Sequence, residues 1–385
     1  MTLARLLYVG DVPVESTYHG SALLHRLLEN YSPDKLTILE TGTPSQPQRR
    51  IPGAKYLSNP LDQSRWLKTR FHPYAVVWFS YWGSKNSIRI DEVEFDSILT
   101  VAHGFGWLAA ASLARKRNAP LHLIVHDDWP RAAHVPPAFR GWFERRFASV
   151  YKQAQSRLCV SPAMEQTYRE RYGESGDVLY PMRAASAPDL DAPSARLAQN
   201  DHQFTVAFAG TINSPGYIRA LIALHDALKP SGGRLLIFGP LTREEARANG
   251  LHLPNVDICG LLTSPELMQR LRDEVDVLFV PMSFDAADRS NMEMSFPSKL
   301  TDYTAVGLPL LIYGPEYCSA VRWAKENDGV AEVAETENRL GDAVHRLAND
   351  AARRVQLGTQ ALHVGRRYFA HETVQAVFNR ALIRG

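Results

Sequence analysis

Short apolar runs that close on glycine or a polar residue alternate along this chain with longer stretches whose apolar positions recur every three or four residues. The first run, Arg5 to Gly10, is followed by a loop and then by Ser21 to Tyr31, where Leu23, Leu24, Leu27 and Leu28 fall at helical spacing. Runs of strand length recur at Lys35 to Leu39, Tyr74 to Phe79, Ser97 to Ala102, Leu121 to Val125 and Arg157 to Val160, while Trp107 to Arg117 and Ala163 to Tyr172 read as helices. Ser161-Pro162 predicts a capped helix start, with the serine as N-cap and the proline in the first turn. Strands alternating with helices predict a parallel, doubly wound sheet.

The pattern lapses from Ala184 to His202, a stretch of Ala, Pro, Ser and Asp without a long apolar period, which reads as a linker. It resumes with strands at Phe204 to Phe208, Leu235 to Gly239, Val256 to Gly260, Val277 to Pro281 and Leu310 to Tyr313, and with helices at Ile218 to Leu228, Glu337 to Asn349 and Val374 to Leu382. Two Rossmann-like domains in tandem are expected, 1–190 and 191–366, with a last helix in 367–385 placed to pack back on the first. A length of 385 residues suits two α/β domains of roughly 150–200 residues each.

Composition narrows the class without naming a chemistry. With 45% hydrophobic and 22% charged residues the chain is of ordinary globular make-up. No run approaches the ~20 apolar residues of a membrane span, and Met1 to Gly10 lacks the long apolar stretch of a signal peptide. Cys159, Cys259 and Cys318 are isolated in sequence, form no CxxC and fit a reducing cytoplasm. Residues 1–190 hold 23 Lys/Arg against 18 Asp/Glu, and the remainder 20 against 23. That asymmetry is too small to argue for nucleic acid, but it suits an anionic lipid or acceptor as well as it suits unpatterned surface charge.

Candidate chemistry falls in the loops after the strands, where doubly wound sheets bind ligands. Gly10-Asp11 to Gly20-Ser21 leads into a helix and is either an anion site or an ordinary loop; it has no GxGxxG, which disfavours a nicotinamide oxidoreductase. His103 and His126 each follow an apolar strand, and either could hydrogen-bond a substrate, move a proton or simply hold a loop. Asp127 and Asp128 could orient His126 or bind a metal, although two adjacent aspartates carry little specificity. In the second half, Ser298 stands where a helix could begin, Lys299 adds a positive charge, and Asp302 one turn on could accept from two ribose hydroxyls. The bland alternative is an N-cap followed by a solvated face.

Taken together these segments resemble the family-4 retaining glycosyltransferases over nearly the whole chain. The run Phe296-Pro297-Ser298-Lys299-Leu300-Thr301-Asp302-Tyr303, continued to Gly307-Leu308-Pro309, looks like the "PSK" variant of their donor-binding helix. Leu123 to Trp129 is similar to their "hhhHD.W" strand end, and Arg157 to Gly173 to the segment before their linker. The resemblance implies a GT-B fold, α/β, with two Rossmann-like doubly wound domains facing a central cleft. It also implies transfer of a sugar from a nucleotide-diphosphate-sugar, with retention, without metal or cofactor, and with UDP-sugar as first guess. By the same resemblance Asp302 would bind ribose, His126 would act at the donor sugar, and Gly20 would touch the diphosphate. Ser298, Lys299, Glu293, Arg289 and Gly239 would complete the donor site, with His103 and Asp127 on the acceptor side. Two departures stand out. Met294 occupies the place of the first acid of the family's E-x7-E motif, with Glu293 beside it, and Ala209 to Gly216 lacks the Arg and Lys that neutralise the diphosphate in many relatives. Lys299, with Arg289, is the expected substitute, because transfer builds negative charge on the departing diphosphate.

Acceptors in such enzymes sit against the N-terminal domain, where Arg65 to Phe71 and Gly141 to Phe147 mix aromatic and basic residues. These segments either fill the core or meet a membrane presenting a lipid-linked glycan. The expected partners are therefore a nucleotide-sugar and a glycan, lipid-linked or small-molecule acceptor, in surface polysaccharide or glycoconjugate synthesis at the cytoplasmic side of a membrane. The alternatives are a non-catalytic nucleotide-sugar-binding subunit and a hydrolysing nucleotide-sugar epimerase.

Overall fold

Every residue of the central strands is buried, so each sheet must be covered on both faces, as parallel sheets are. The computed structural model describes residues 4–383 other than 17–18, 60–68, 86–89, 91–92 and 213. The chain divides into two compact units, Met1–Ala185 with His371–Gly385, and Ser186–Ala370.

The first unit runs β1 (Leu6–Gly10), α1 (His19–Leu28), β2 (Leu36–Glu40), β3 (Lys55–Ser58), α2 (His72–Lys85), β4 (Ser97–Val101), α3 (Gly106–Arg117), β5 (Leu121–Val125), α4 (Trp129–Ala132), α5 (Pro137–Gln153), β6 (Ser156–Cys159), α6 (Pro162–Tyr172) and β7 (Asp177–Val178). Among the described residues its seven strands are all parallel, in the order β3-β2-β1-β4-β5-β6-β7. The second unit runs β8 (Thr205–Ala209), α7 (Pro215–Leu228), β9 (Arg234–Phe238), α8 (Arg243–Ala248), β10 (Val256–Gly260), α9 (Ser264–Glu274), β11 (Val277–Pro281), α10 (Arg289–Met294), α11 (Lys299–Tyr303), β12 (Leu310–Tyr313), α12 (Ser319–Glu326), β13 (Ala331–Ala334), α13 (Glu337–Asn349) and α14 (Ala351–Phe369). Its six strands are again parallel, in the order β10-β9-β8-β11-β12-β13. In each sheet the winding direction reverses beside the first strand, between β1 and β4 and between β8 and β11. Such switch points open a crevice at the carboxyl edge.

One expected strand is a helix. Tyr74 to Phe79 lies inside α2, which has two faces: Ala75, Val76 and Ser80 are buried, whereas Tyr74 and Trp78 are 61% and 58% exposed. A six-residue apolar run cannot be assigned from periodicity alone, and here aromatic residues on the outer face mimic a buried strand. Phe143 and Phe147, part of the expected acceptor segment, are instead fully buried and pack edge-on against Trp107 at 6.0 and 5.7 Å. Arg65 to Lys68 lie outside the described residues. Ser161 caps α6 as expected, its hydroxyl accepting from Met164 N at 3.0 Å, with Gly173 left-handed at the other end.

The stretch read as a linker is fastened to the second unit at its centre. Ser194 N donates to Gly307 O at 3.0 Å, and its hydroxyl donates to Arg272 O at 2.7 Å. At the far end, α15 (His371–Ile383) contributes Val374, Phe378, Ala381 and Leu382 to the first unit's core beside Leu24, Leu27 and Leu28. Truncating Phe378→Ala should therefore destabilise the first unit by about 3–5 kcal/mol, the usual cost of an emptied aromatic site. Denaturant unfolding of the full chain checks this.

Candidate functional site

At the carboxyl edge of the second sheet, three strand ends carry glycine in left-handed backbone geometry: Gly210 after β8, Gly239 after β9 and Gly260 closing β10, at φ +142°, +146° and +74°. Two of these glycines are dictated by space. A Cβ on Gly239 would stand 2.3 Å from Gly210 O, and one on Gly210 would stand 2.4 Å from Lys299 Cε. The lysine stem thus lies directly on the Gly210 backbone.

Tyr303 holds it there. Its hydroxyl accepts from Ala209 N at 2.6 Å and donates to Ala209 O at 2.9 Å, fastening α11 to the end of β8. Lys299 lies one turn earlier on the same helical face, so the clamp sets its position. Tyr303 belongs to the segment singled out from sequence, but a buried tyrosine there carries no signal distinguishing it from core.

The Lys299 ammonium lies 5.2 Å from the centre of the Phe208 ring and 5.6 Å from that of Tyr217. Neither a hydrogen bond nor an ion pair satisfies it among the described residues. Burial pushes its pKa down to about 8. Ring faces give a cation modest attraction, less than the water it has lost, so the charged form is stored at a cost. An anion arriving at this edge would remove that cost.

The remaining expected donor-site residues are distributed along α10 and α11. Ser298 and Asp302 share the outward face of α11 and are exposed. Ser298 is not an N-cap: its dihedrals, φ −56° and ψ −22°, are already helical, and its side chain makes no capping bond. The turn begins one residue earlier, with Leu300 N donating to Pro297 O at 3.0 Å and Thr301 N to Ser298 O at 3.1 Å. Glu293 is half-buried, and its carbonyl accepts from Arg322. Met294 is buried at 2% exposure, so a carboxylate in its place would lose its water. Arg289 is exposed and lies over Tyr317 at 4.5 Å; no hydrogen bond or ring contact joins it to Lys299.

In the first unit, Asp11 organises the switch point. One carboxylate oxygen accepts from Phe105 N and, at 2.7 Å, from Gly106 N, the start of α3; the other accepts from Thr41 Oγ1 at 2.8 Å. Gly104, left-handed at φ +56°, leaves no room for a Cβ beside this carboxylate. A protein carboxylate already fills the anion-binding end of α3, a role its position in a polar loop did not reveal. Gly20, at the start of α1, would accept a Cβ at an ordinary 3.6 Å from Val12, so packing does not require glycine there.

His103 and His126 come together beyond β4 and β5. Burial is the main cause lowering the pKa of His126; Asp127 opposes it and the charge of His103 adds to it. His103 packs on Trp129, with ring centres 4.6 Å apart. Asp128 is built into the fold. It accepts from Tyr168 at 2.9 Å and from Arg171 at 3.2 Å. Among the described residues no group of three or more His, Cys, Asp or Glu is placed to hold a metal ion.

Residues 34–181 match the family Glycosyltransferase Family 4. No curated protein matches the chain in sequence. Three solved structures share its architecture: HepE from Anabaena in complex with UDP and glucose (TM-score 0.65, 14% identity, covering 98% of this chain and 99% of that one), sucrose-phosphate synthase from Thermosynechococcus elongatus (0.66, 14%, 98% of each), and α,α-trehalose 6-phosphate synthase from Burkholderia multivorans (0.66, 14%, 99% and 98%). At such identity the likeness shows the fold, which is GT-B.

The stored charge has a measurable sign. The unfolded chain keeps the Lys299 proton up to the ordinary value of 10.5, whereas the folded chain releases it near 8. The stability penalty is therefore fully present below pH 8 and fades as pH rises from 8 to 10.5. Lys299→Met should raise unliganded stability at pH 7 by on the order of 1 kcal/mol, and the gain should shrink at pH 10, as read by urea unfolding at both pH values.

Proposed function

We propose that this GT-B glycosyltransferase, which uses a nucleotide sugar, takes a UDP-sugar as donor and passes the sugar with retention to a glycan or lipid-linked acceptor presented at the cytoplasmic face of a membrane. One observation carries the reading: the Lys299 ammonium, clamped on the Gly210 edge and lacking a counter-charge among the described residues.

In transfer the bond from the anomeric carbon to the diphosphate oxygen breaks, and its electron pair leaves with the diphosphate. Lys299 would meet that growing charge in a partly desolvated place, where a fixed cation acts most strongly. A fixed cation makes a divalent metal unnecessary for this step. The glycine strand ends let the Lys299 stem lie against the backbone of this edge, and Asp302, outward on α11, supplies a carboxylate for ribose. His126, kept neutral by burial at pH 7, would hydrogen-bond a sugar hydroxyl rather than act as a cation. The acceptor hydroxyl replaces the diphosphate at the anomeric carbon through an oxocarbenium-like state and gives up its proton to the departing phosphate oxygen. UDP is preferred because the similar HepE structure holds UDP and glucose.

A second reading, a donor-binding subunit without turnover, is favoured by buried Met294 in the place of the first acid. Anomer analysis of the product by NMR separates the two and tests retention at once. With transfer as proposed, Lys299→Ala should lower kcat roughly 100- to 1,000-fold, a chelator should leave the rate unchanged, and kcat/KM should fall as pH rises through about 8, where free Lys299 loses its charge. Wild-type protein that binds UDP-sugar yet gives no product with any acceptor would favour the second reading.

A further inference from the structure

The outer face of α2 and the start of α5 form an aromatic groove of about 620 Å³ lined by Tyr74, Val77, Trp78, Tyr81, Phe139 and Trp142. Its composition differs from both core and ordinary surface. Tyr74, Val77, Trp78 and Tyr81 follow helical spacing on the face opposite buried Ala75, Val76 and Ser80, and Phe139 and Trp142 lie one turn apart on α5. Four of the six rank among the protein's large exposed hydrophobic side chains: Tyr74, Trp78, Tyr81 and Phe139. Contiguous apolar surface of this kind is rare on a monomer without a purpose.

Among the described residues of α2 and the start of α5, the charge beside the groove is basic, Glu144 aside. Residues 69–85 contain no Asp or Glu. Arg70 lies over Phe71 at 5.1 Å, Arg146 over Trp142 at 5.6 Å, and Arg140 and Arg145 are exposed on α5. None of these four guanidinium groups pairs with a carboxylate among the described residues. The one acid on α5, Glu144, is taken up by the Tyr172 hydroxyl. Tyrosine and tryptophan with an apolar body and a polar edge, with arginine beside them, match the layered chemistry of a bilayer surface: acyl chain, carbonyl belt and phosphate.

We propose that this face docks the protein on an anionic phospholipid bilayer, with the α2 and α5 aromatics entering the headgroup boundary and Arg70, Arg140, Arg145 and Arg146 meeting phosphates. The proposal rests on the membrane-side acceptor of the preceding reading and assigns the surface that would reach it. Lipid charge governs recruitment, so the interaction should weaken with salt.

Co-sedimentation of the full chain with vesicles of phosphatidylglycerol in phosphatidylcholine, against phosphatidylcholine alone, is the test. We expect binding to the anionic vesicles that falls at high salt, little binding to neutral ones, and roughly tenfold or greater weakening in both Tyr74→Ser/Trp78→Ser and Arg140→Glu/Arg145→Glu. Both variants should keep the wild-type melting temperature and UDP affinity, so loss of vesicle binding is separable from failure of the donor reading. Absence of wild-type binding to anionic vesicles would overturn the proposal, as would variants that bind undiminished. A concentration-dependent dimer abolished by Trp78→Ser, without vesicle binding, would give the face to a second copy instead.

Discussion

A cation pressed into the strand-end edge of the second sheet, with aromatic rings beside it and no carboxylate among the described residues to neutralise it, is the constraint that the second unit's site is arranged to hold. Removing most of the water from an ammonium group is unfavourable unless something answers its charge. The chain meets this requirement only in part, through Phe208 and Tyr217. The neighbouring features follow as conditions for keeping the group there. Glycine at 210 makes room for the stem, glycine at 239 makes room for Gly210, and Tyr303 prevents α11 from sliding off β8.

The two sheets solve the same topological problem with opposite polarity. Each reverses its winding beside its first strand and so opens a crevice there. In the first unit the protein's own anion, Asp11, is seated on the start of α3 beside that switch point. In the second the strand-end edge presents a cation with no hydrogen-bond or ion-pair partner among the described residues. One arrangement is satisfied within the fold, and the other is the one that the proposed function assigns to a ligand. Preorganised charge of this kind does its work in chemistry because it need not be assembled when the charge of the substrate develops.

Much of the architecture was legible because buried parallel strands are uninterrupted apolar runs and their crossover helices are long enough to show a period. The same rule failed at Tyr74 to Phe79, where exposed aromatics on a helix gave an apolar run that no core explains. The failure hid a surface feature, since those side chains line the groove of the first unit. Elements without a run of their own, such as β3, the two-residue β7 and β13, could not be read in advance.

Site chemistry was legible unevenly. The lysine stood out as a charge between Ser298 and Asp302 at an expected helix start, but its lack of a partner among the described residues is a three-dimensional fact, as is the depressed pKa that follows. Ser298 read as the start of a helix, with a cap as the bland alternative, whereas the turn starts at Pro297 and leaves the serine helical. Asp128 looked equivalent to Asp127 until Tyr168 and Arg171, some 40 residues on, were seen to claim it. The most direct measurement of the central claim is an NMR titration of the Lys299 side chain with and without saturating UDP. A midpoint near 8 in the free protein that moves up by about one unit or more with UDP is the predicted result, and a midpoint that stays in place while UDP demonstrably binds would contradict the account.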